Sequence, residues 1–177
     1  PFGHGWPLDE ARGRDVLVVA GGLGLAPLRP AIYHLLRHRE RYGRVAILYG
    51  ARSPDEVLYR AELESWCARR EVEARVIVDR AGPGWAGLVG VVPSLLARVG
   101  VSADSTVAMV CGPEVMMRFT VRDLERLGMA RERIFVFYCS GDHRERHECQ
   151  HSFPARRSAD RVALPPERQE QRGTTIQ

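Results

Sequence analysis

Two stretches carry the residues best suited to chemistry: "VVAGGLGLAP" (18–27) and "VCGPE" (110–114). In the first, Gly21, Gly22 and Gly24 follow an apolar run and precede a helical pattern that holds Leu25, Ala26 and Pro27. Glycines let a backbone take positive φ and come close to a ligand. A helix N-terminus just behind them supplies unpaired N–H groups and a partial positive charge, so the arrangement suits a phosphate. The spacing Gly22-x-Gly24-x-x-Pro27 lacks the third glycine of the dinucleotide fingerprint. Taken alone, it fits a tight strand-to-helix turn with no ligand equally well. In the second stretch Cys111 ends an apolar run, and Gly112, Pro113 and Glu114 open a helix. Taken alone, a cysteine so placed is a small buried residue that ends a strand.

The elements that must position these residues follow from periodicity. "DVLVVA" (15–20), "RVAILYG" (44–50), "VEARVIVD" (72–79), "STVAMVC" (105–111) and "RIFVF" (133–137) read as strands. Several are nearly continuous in apolar residues, as strands covered on both faces are. Leu28, Ala31, Ile32, Leu35 and Leu36 recur at helical spacing, with Gly43 beyond them as a stop. "SPDEVLYRAELESW" (53–66) predicts a second helix with Ser53 as N-cap and Pro54 at its first position. "PSLLARVG" (93–100) predicts a third, and "PEVMMRFTVRDLERLG" (113–128) a fourth. Five strands alternating with four helices predict an α/β fold, a doubly wound five-stranded parallel sheet flanked by helices.

Composition bounds the function. The chain has 177 residues, 45 % hydrophobic and 27 % charged, which fits one domain with a tail. The net charge of +4 is too mild and too evenly spread for a nucleic-acid partner. No apolar run is long enough to cross a membrane, so the expected location is cytoplasmic. All 26 basic residues are arginine, which excludes any mechanism built on lysine. Cys67, Cys111, Cys139 and Cys149 do not form a secreted disulfide framework.

The glycine loop, "YGAR" (49–52), "CGPEVMM" (111–117) and the opening "PFGHGW" (1–6), in that fold, resemble the NAD(P)-binding domain of the ferredoxin–NADP⁺ reductase family. The likeness runs from residue 1 to about 137. It is strongest to the flavin and iron–sulfur electron-transfer subunits of soluble hydrogenases and anaerobic sulfite reductases. The resemblance implies that Gly21, Gly22, Gly24, Leu25, Ala26 and Pro27 carry the pyrophosphate of NAD(P)H. It places Cys111 beside the nicotinamide, in a pocket shaped by Gly112, Pro113 and Glu114, where it orients the ring against a flavin. Tyr49, Gly50, Arg52 and Ser53 fall where adenosine ribose is read. No acidic residue stands at that strand's immediate end, and Arg52 beside Ser53 suits a 2′-phosphate. Ser53 as a plain N-cap and Arg52 as a solvated or adenine-stacked side chain remain open. "GWAGLVGVV" (84–92) falls in the loop after the third strand, with Trp85 beside the nicotinamide or serving as a lid on the sheet.

The sequence departs from that family in two places. Members carry a flavin-binding barrel before this domain; here residues 1–14 resemble only the linker from it. That predicts no FAD site, and so no hydride acceptor, on the chain itself. After residue 137 the related subunits continue with four close cysteines for a [2Fe–2S] cluster, whereas this tail offers Cys139 and Cys149. A cluster is therefore not expected. Residues 138–177 read as an irregular, disordered tail, with the composition of a GC-rich gene read out of frame. His143, His147 and His151 with the two cysteines are a weak zinc alternative. The expected function is NAD(P)H binding for hydride transfer to a flavin, with onward one-electron transfer to an iron–sulfur partner. The alternatives are a non-catalytic nucleotide-binding or interaction module, a truncated inactive fragment, and an unrelated doubly wound enzyme.

Overall fold

The computed structural model describes residues 5–137 and, by backbone alone, a short strand at 153–154. The expectations placed on residues 138–177, including Cys139, His143, His147, Cys149 and His151, otherwise lie outside the described residues. Strands β1 (Asp15–Gly21), β2 (Val45–Ala51), β3 (Glu73–Val78), β4 (Leu88–Val89), β5 (Thr106–Cys111), β6 (Ile134–Phe137) and β7 (Phe153–Pro154) form one sheet. Its order is β4-β3-β2-β1-β5-β6-β7, parallel throughout except for the antiparallel β7. The five strands expected from apolar runs are its centre. The addition on the β3 side is β4, two residues inside the "GWAGLVGVV" segment and too short to show a pattern.

Each central strand divides its side chains between two apolar layers. Val16, Val18 and Ala20 of β1 face one layer with α1 (Leu25–Arg37) and α2 (Arg60–Cys67). Leu17 and Val19 face the other, built with α3 (Glu114–Arg126) and a 3-10 helix at Val92–Arg98. That is why the runs are continuous rather than alternating. Burying each such Val or Leu contributes about 1.5–3 kcal/mol, and this is the main force that fixes the strand order. Among the described residues no helix is long and apolar enough to cross a membrane.

Three helical expectations change in detail. The segment 53–66 is not one helix: a 3-10 turn at Pro54–Glu56 precedes α2, with Val57 extended between them. The cause is non-local. The buried Tyr49 hydroxyl accepts the Leu58 N–H at 3.1 Å, which removes that donor from any helical ladder, and Tyr59 turns into α2 at φ +51°. The segment 93–100 is the 3-10 helix at Val92–Arg98. Gly43 does not stop α1, because a further 3-10 turn, Arg39–Arg41, intervenes. It lies against Asp15 instead, where an added Cβ would sit 2.2 Å from Oδ1.

Residues 5–14, expected as a linker remnant, are packed against the sheet. The Trp6 indole N–H donates to the Pro27 carbonyl at 2.8 Å, and its ring lies 5.9 Å from that of Phe137. The Tyr42 hydroxyl holds the Leu8 carbonyl at 3.3 Å, and Ala11 is buried.

His34, in the last turns of α1, lies 4.6 Å from the His38 ring. Burial lowers its pKa, and His38, Arg41 and Arg12 lower it further, against a smaller opposing pull from Asp9. The unfolded chain therefore binds this proton more readily than the folded one. Stability is expected to fall as pH drops below about 6.5 and to level off once folded His34 is itself protonated. Urea midpoints at pH 8 and 5.5 test this: His34→Gln should flatten the slope, and an unchanged slope would place the titration elsewhere.

Candidate active-site crevice

The chain leaves β1 toward β2 and leaves β5 toward β6, on opposite sides, so the sheet's switch point lies between β1 and β5. Ligands of open α/β sheets bind there, outside the carboxyl ends of the strands. Ala20 is in register with Cys111, so the loop at Gly21–Gly24 and the loop at Gly112–Pro113 emerge side by side. A 3-10 turn spans Gly22–Gly24, with Gly22 at φ +52°, and α1 begins at Leu25. Pro27 is thus the third residue of the helix, still in the first turn, where a missing N–H costs nothing.

Backbone meets backbone across the crevice. A Cβ at Gly24 would stand 2.3 Å from the Cys111 carbonyl oxygen and 2.6 Å from the Gly112 nitrogen. A Cβ at Gly112 would stand 3.0 Å from the Gly21 nitrogen, and one at Gly21 would strike Met116 Sδ at 2.5 Å. Glycine is required here by close approach. Helices α1 and α3, each 13 residues long, both begin at this crevice, and no side chain caps either one. The first turn of α1 holds no acid. Main chain from both loops meets here, flanked by Met116 and Pro113; the first turn of α3 carries Glu114, so the uncapped N-terminus of α1 is the end suited to an anion.

The expected site residues divide by accessibility. Ala26, Pro113 and Glu114 are exposed at the rim, beside Leu23, which is 79 % exposed, and Val115. Cys111 is only 2 % exposed and lies with Ala20, Leu25 and Phe135 in the layer under α1. Leu25 is likewise buried. Any ligand over β5 meets the Gly112–Glu114 main chain before it meets the thiol.

At the end of β2, Tyr49 is fully buried and offers a ligand no surface. Burial raises its phenol pKa, so the hydroxyl stays protonated at neutral pH; it organises the 52–59 loop through Leu58. Gly50 is buried against Val92, whose Cγ2 would lie 1.9 Å from an added Cβ. Arg52 is exposed, and its carbonyl accepts the Arg80 N–H at 3.0 Å. Ser53 makes no side-chain cap to the turn that follows it; its hydroxyl is 3.5 Å from Glu56 Oε1. Trp85 is half-buried, donating to the Leu88 carbonyl at 3.1 Å and packing on the apolar layer that holds Tyr49.

Sequence reasoning missed three participants at this edge. Arg80 follows β3 and joins Arg52 by main chain, and its position just past a strand end was the available signal. Trp6 holds the first turn of α1. Arg29 of α1 grips Glu62 of α2 with both carboxylate oxygens, at 3.0 and 2.6 Å, and its guanidinium lies 3.9 Å from the Tyr59 ring centroid. That hydrogen bonding holds the Glu62 carboxyl below the usual carboxylate range. No short-range pattern announces a pair 33 residues apart.

Fold and crevice together define a nucleotide-binding domain of the doubly wound class. The family model of the oxidoreductase NAD-binding domain matches residues 18–122, and the chain belongs to that family. The gamma subunit of sulfhydrogenase 1 from Pyrococcus furiosus is 33 % identical over 138 residues, covering 77 % of this chain and 47 % of that protein. Among solved structures, the cytochrome b5 reductase domain of Ulva prolifera nitrate reductase superposes with a TM-score of 0.60 at 26 % identity, over 67 % of this chain and 46 % of that one. A ferredoxin NADP⁺ reductase from Neisseria gonorrhoeae, with bound FAD and NADP, shares the fold at TM-score 0.58 and 22 % identity, over 85 % of this chain and 61 % of that one. The chain spans about half the length of the two Pyrococcus gamma subunits it matches, 47 % and 51 %.

Proposed function

We propose that residues 15–137 bind NAD(P)H across the β1–β5 crevice and present its nicotinamide to a flavin held by a companion domain or subunit. The observation that carries this reading is the close approach of Gly24 to the Cys111 carbonyl, which leaves a main-chain floor between two uncapped helix starts. The Gly21–Gly24 main chain and the α1 N-terminus beside it suit a pyrophosphate, with Met116 the side chain nearest Gly21 and Gly112.

A flavin held by that companion would supply the redox chemistry, taking up the hydride of NAD(P)H as two electrons and a proton and passing the electrons singly to an iron–sulfur acceptor of the hydrogenase or sulfite reductase kind. This chain's residues bind and orient. The Gly21–Pro27 loop holds the pyrophosphate, and Gly112, Pro113 and Glu114 bound the ring's position beside Cys111. Arg52 and Ser53 meet the adenosine ribose, while Tyr49 and Gly50 shape the turn that carries them. Cys111, expected as the catalytic residue, is proposed as a positioning residue that acts on the ring through the Gly112–Glu114 main chain above it. The proposed location is the cytoplasm.

Calorimetric titration of the full chain with NADPH, NADH and ADP-ribose tests the reading. Saturable binding of either dinucleotide, with ADP-ribose retaining much of it, is expected. A folded sample that binds none of the three overturns it.

A further inference from the structure

We propose that Arg29 is a positioning residue for the adenosine side of the crevice; this rests on the dinucleotide reading above. Arg29 stands on α1, the helix whose first turn lies at the pyrophosphate loop. Its guanidinium is held on several sides, with the Tyr33 ring of its own helix 5.7 Å away. Both Glu62 oxygens fix it to α2, and the Tyr59 ring stacks on it at 3.9 Å. Arginine is the side chain that can form a planar fork with a carboxylate and present its face to an aromatic ring.

Tyr59 is the noteworthy partner. Among the described residues it is the one non-glycine residue with positive φ, +51°, and it ends the 52–59 loop that starts at Arg52 and Ser53. A β-carbon in that conformation is strained and persists only where surrounding contacts over-determine it. Here the stacked guanidinium supplies one such contact, and the Tyr49 hydroxyl on the adjacent Leu58 N–H supplies another. The Arg60 guanidinium ties the loop's far end to its start by bonding the Pro54 carbonyl. A shift of Tyr59 toward relaxed dihedrals is therefore transmitted to the residues that meet the ribose. Arg29 couples the two halves of the site: the helix that starts at the pyrophosphate also sets where the adenosine loop sits.

The test uses the full chain, with ADP-ribose and inorganic pyrophosphate titrated separately by calorimetry. Arg29→Met keeps the aliphatic stem and removes the fork. It is expected to weaken ADP-ribose about tenfold while pyrophosphate affinity stays within about twofold. Tyr59→Gly removes the ring but relieves the positive φ, so it folds even where Arg29→Met does not. It should show the same selective loss, and Tyr59→Phe should bind like wild type. If both ligands weaken equally, or ADP-ribose affinity is unchanged in folded Arg29→Met or Tyr59→Gly, the α1–α2 tie is only a strut and the positioning role fails. If the wild-type chain itself binds no ADP-ribose, the dinucleotide reading is what has failed, and the positioning role falls with it.

Discussion

Gly24→Ala is expected to destabilise the domain by about 3 kcal/mol and to abolish dinucleotide binding, although alanine is ordinarily the better helix former. The conformation is not at issue. Gly24 has φ −61° and ψ −13°, which any residue adopts. The obstacle is the Cys111 carbonyl oxygen 2.3 Å from the added carbon, a main-chain atom at the end of the central strand β5, paired with β1, that cannot rotate aside. Either α1 lifts from the end of β5 or β5 shifts against β1; both open the floor where the pyrophosphate would lie. Gly22→Ala provides the contrast. Its φ of +52° makes alanine strained, but no atom lies within 4 Å of the new carbon. That substitution should cost about 1–2 kcal/mol, the ordinary penalty for a left-handed residue. Urea unfolding of the two variants, with ADP-ribose titration of each, separates close approach from conformational strain. Equal costs would mean that the crevice floor is softer than its geometry indicates.

The contrast between these two glycines shows how much a sequence discloses. Their presence after an apolar run was enough to place a tight strand-to-helix turn, because strand, turn and helix are all local patterns. Which glycine faces open space and which faces the main chain of β5 depends on the Ala20–Cys111 register, and register is a property of the whole sheet. The five central strands were legible because two covered faces force continuous apolar runs. The break at 57–59 was not, because the Leu58 N–H is taken by a side chain from β2. Tyr49 is the instructive case. Val45, Ile47 and Tyr49 alternate onto the layer under α1 and α2, so strand parity already placed the phenol inside the core. Motif resemblance put the same residue among the ligand contacts, and accessibility decides for the core. Arg29, Tyr59 and Glu62 carried no signal, since their partnership depends on how α1 and α2 pack.

The second large effect concerns which dinucleotide is preferred. Arg52 and Arg80 follow β2 and β3, both are exposed, and their main chains are joined by the Arg80 N–H on the Arg52 carbonyl. Arg52 takes part in no ion pair among the described residues, so its guanidinium is available. Asp79, exposed beside Arg80, and Glu56, whose carboxylate lies 3.5 Å from the Ser53 hydroxyl, oppose a phosphate there. A charge-assisted hydrogen bond to a 2′-phosphate contributes about 1.5–3 kcal/mol, so Arg52→Ala should weaken 2′-phospho-ADP-ribose about ten- to hundredfold. ADP-ribose, which lacks that phosphate, should change less than about threefold. Because the contact is exposed, the difference should shrink as salt shortens the Debye length below about 8 Å. Equal weakening of both ligands would make Arg52 an adenine-stacking residue rather than a phosphate reader. No change in either would leave it a solvated arginine, and coenzyme choice would then rest on Arg80 and Ser53.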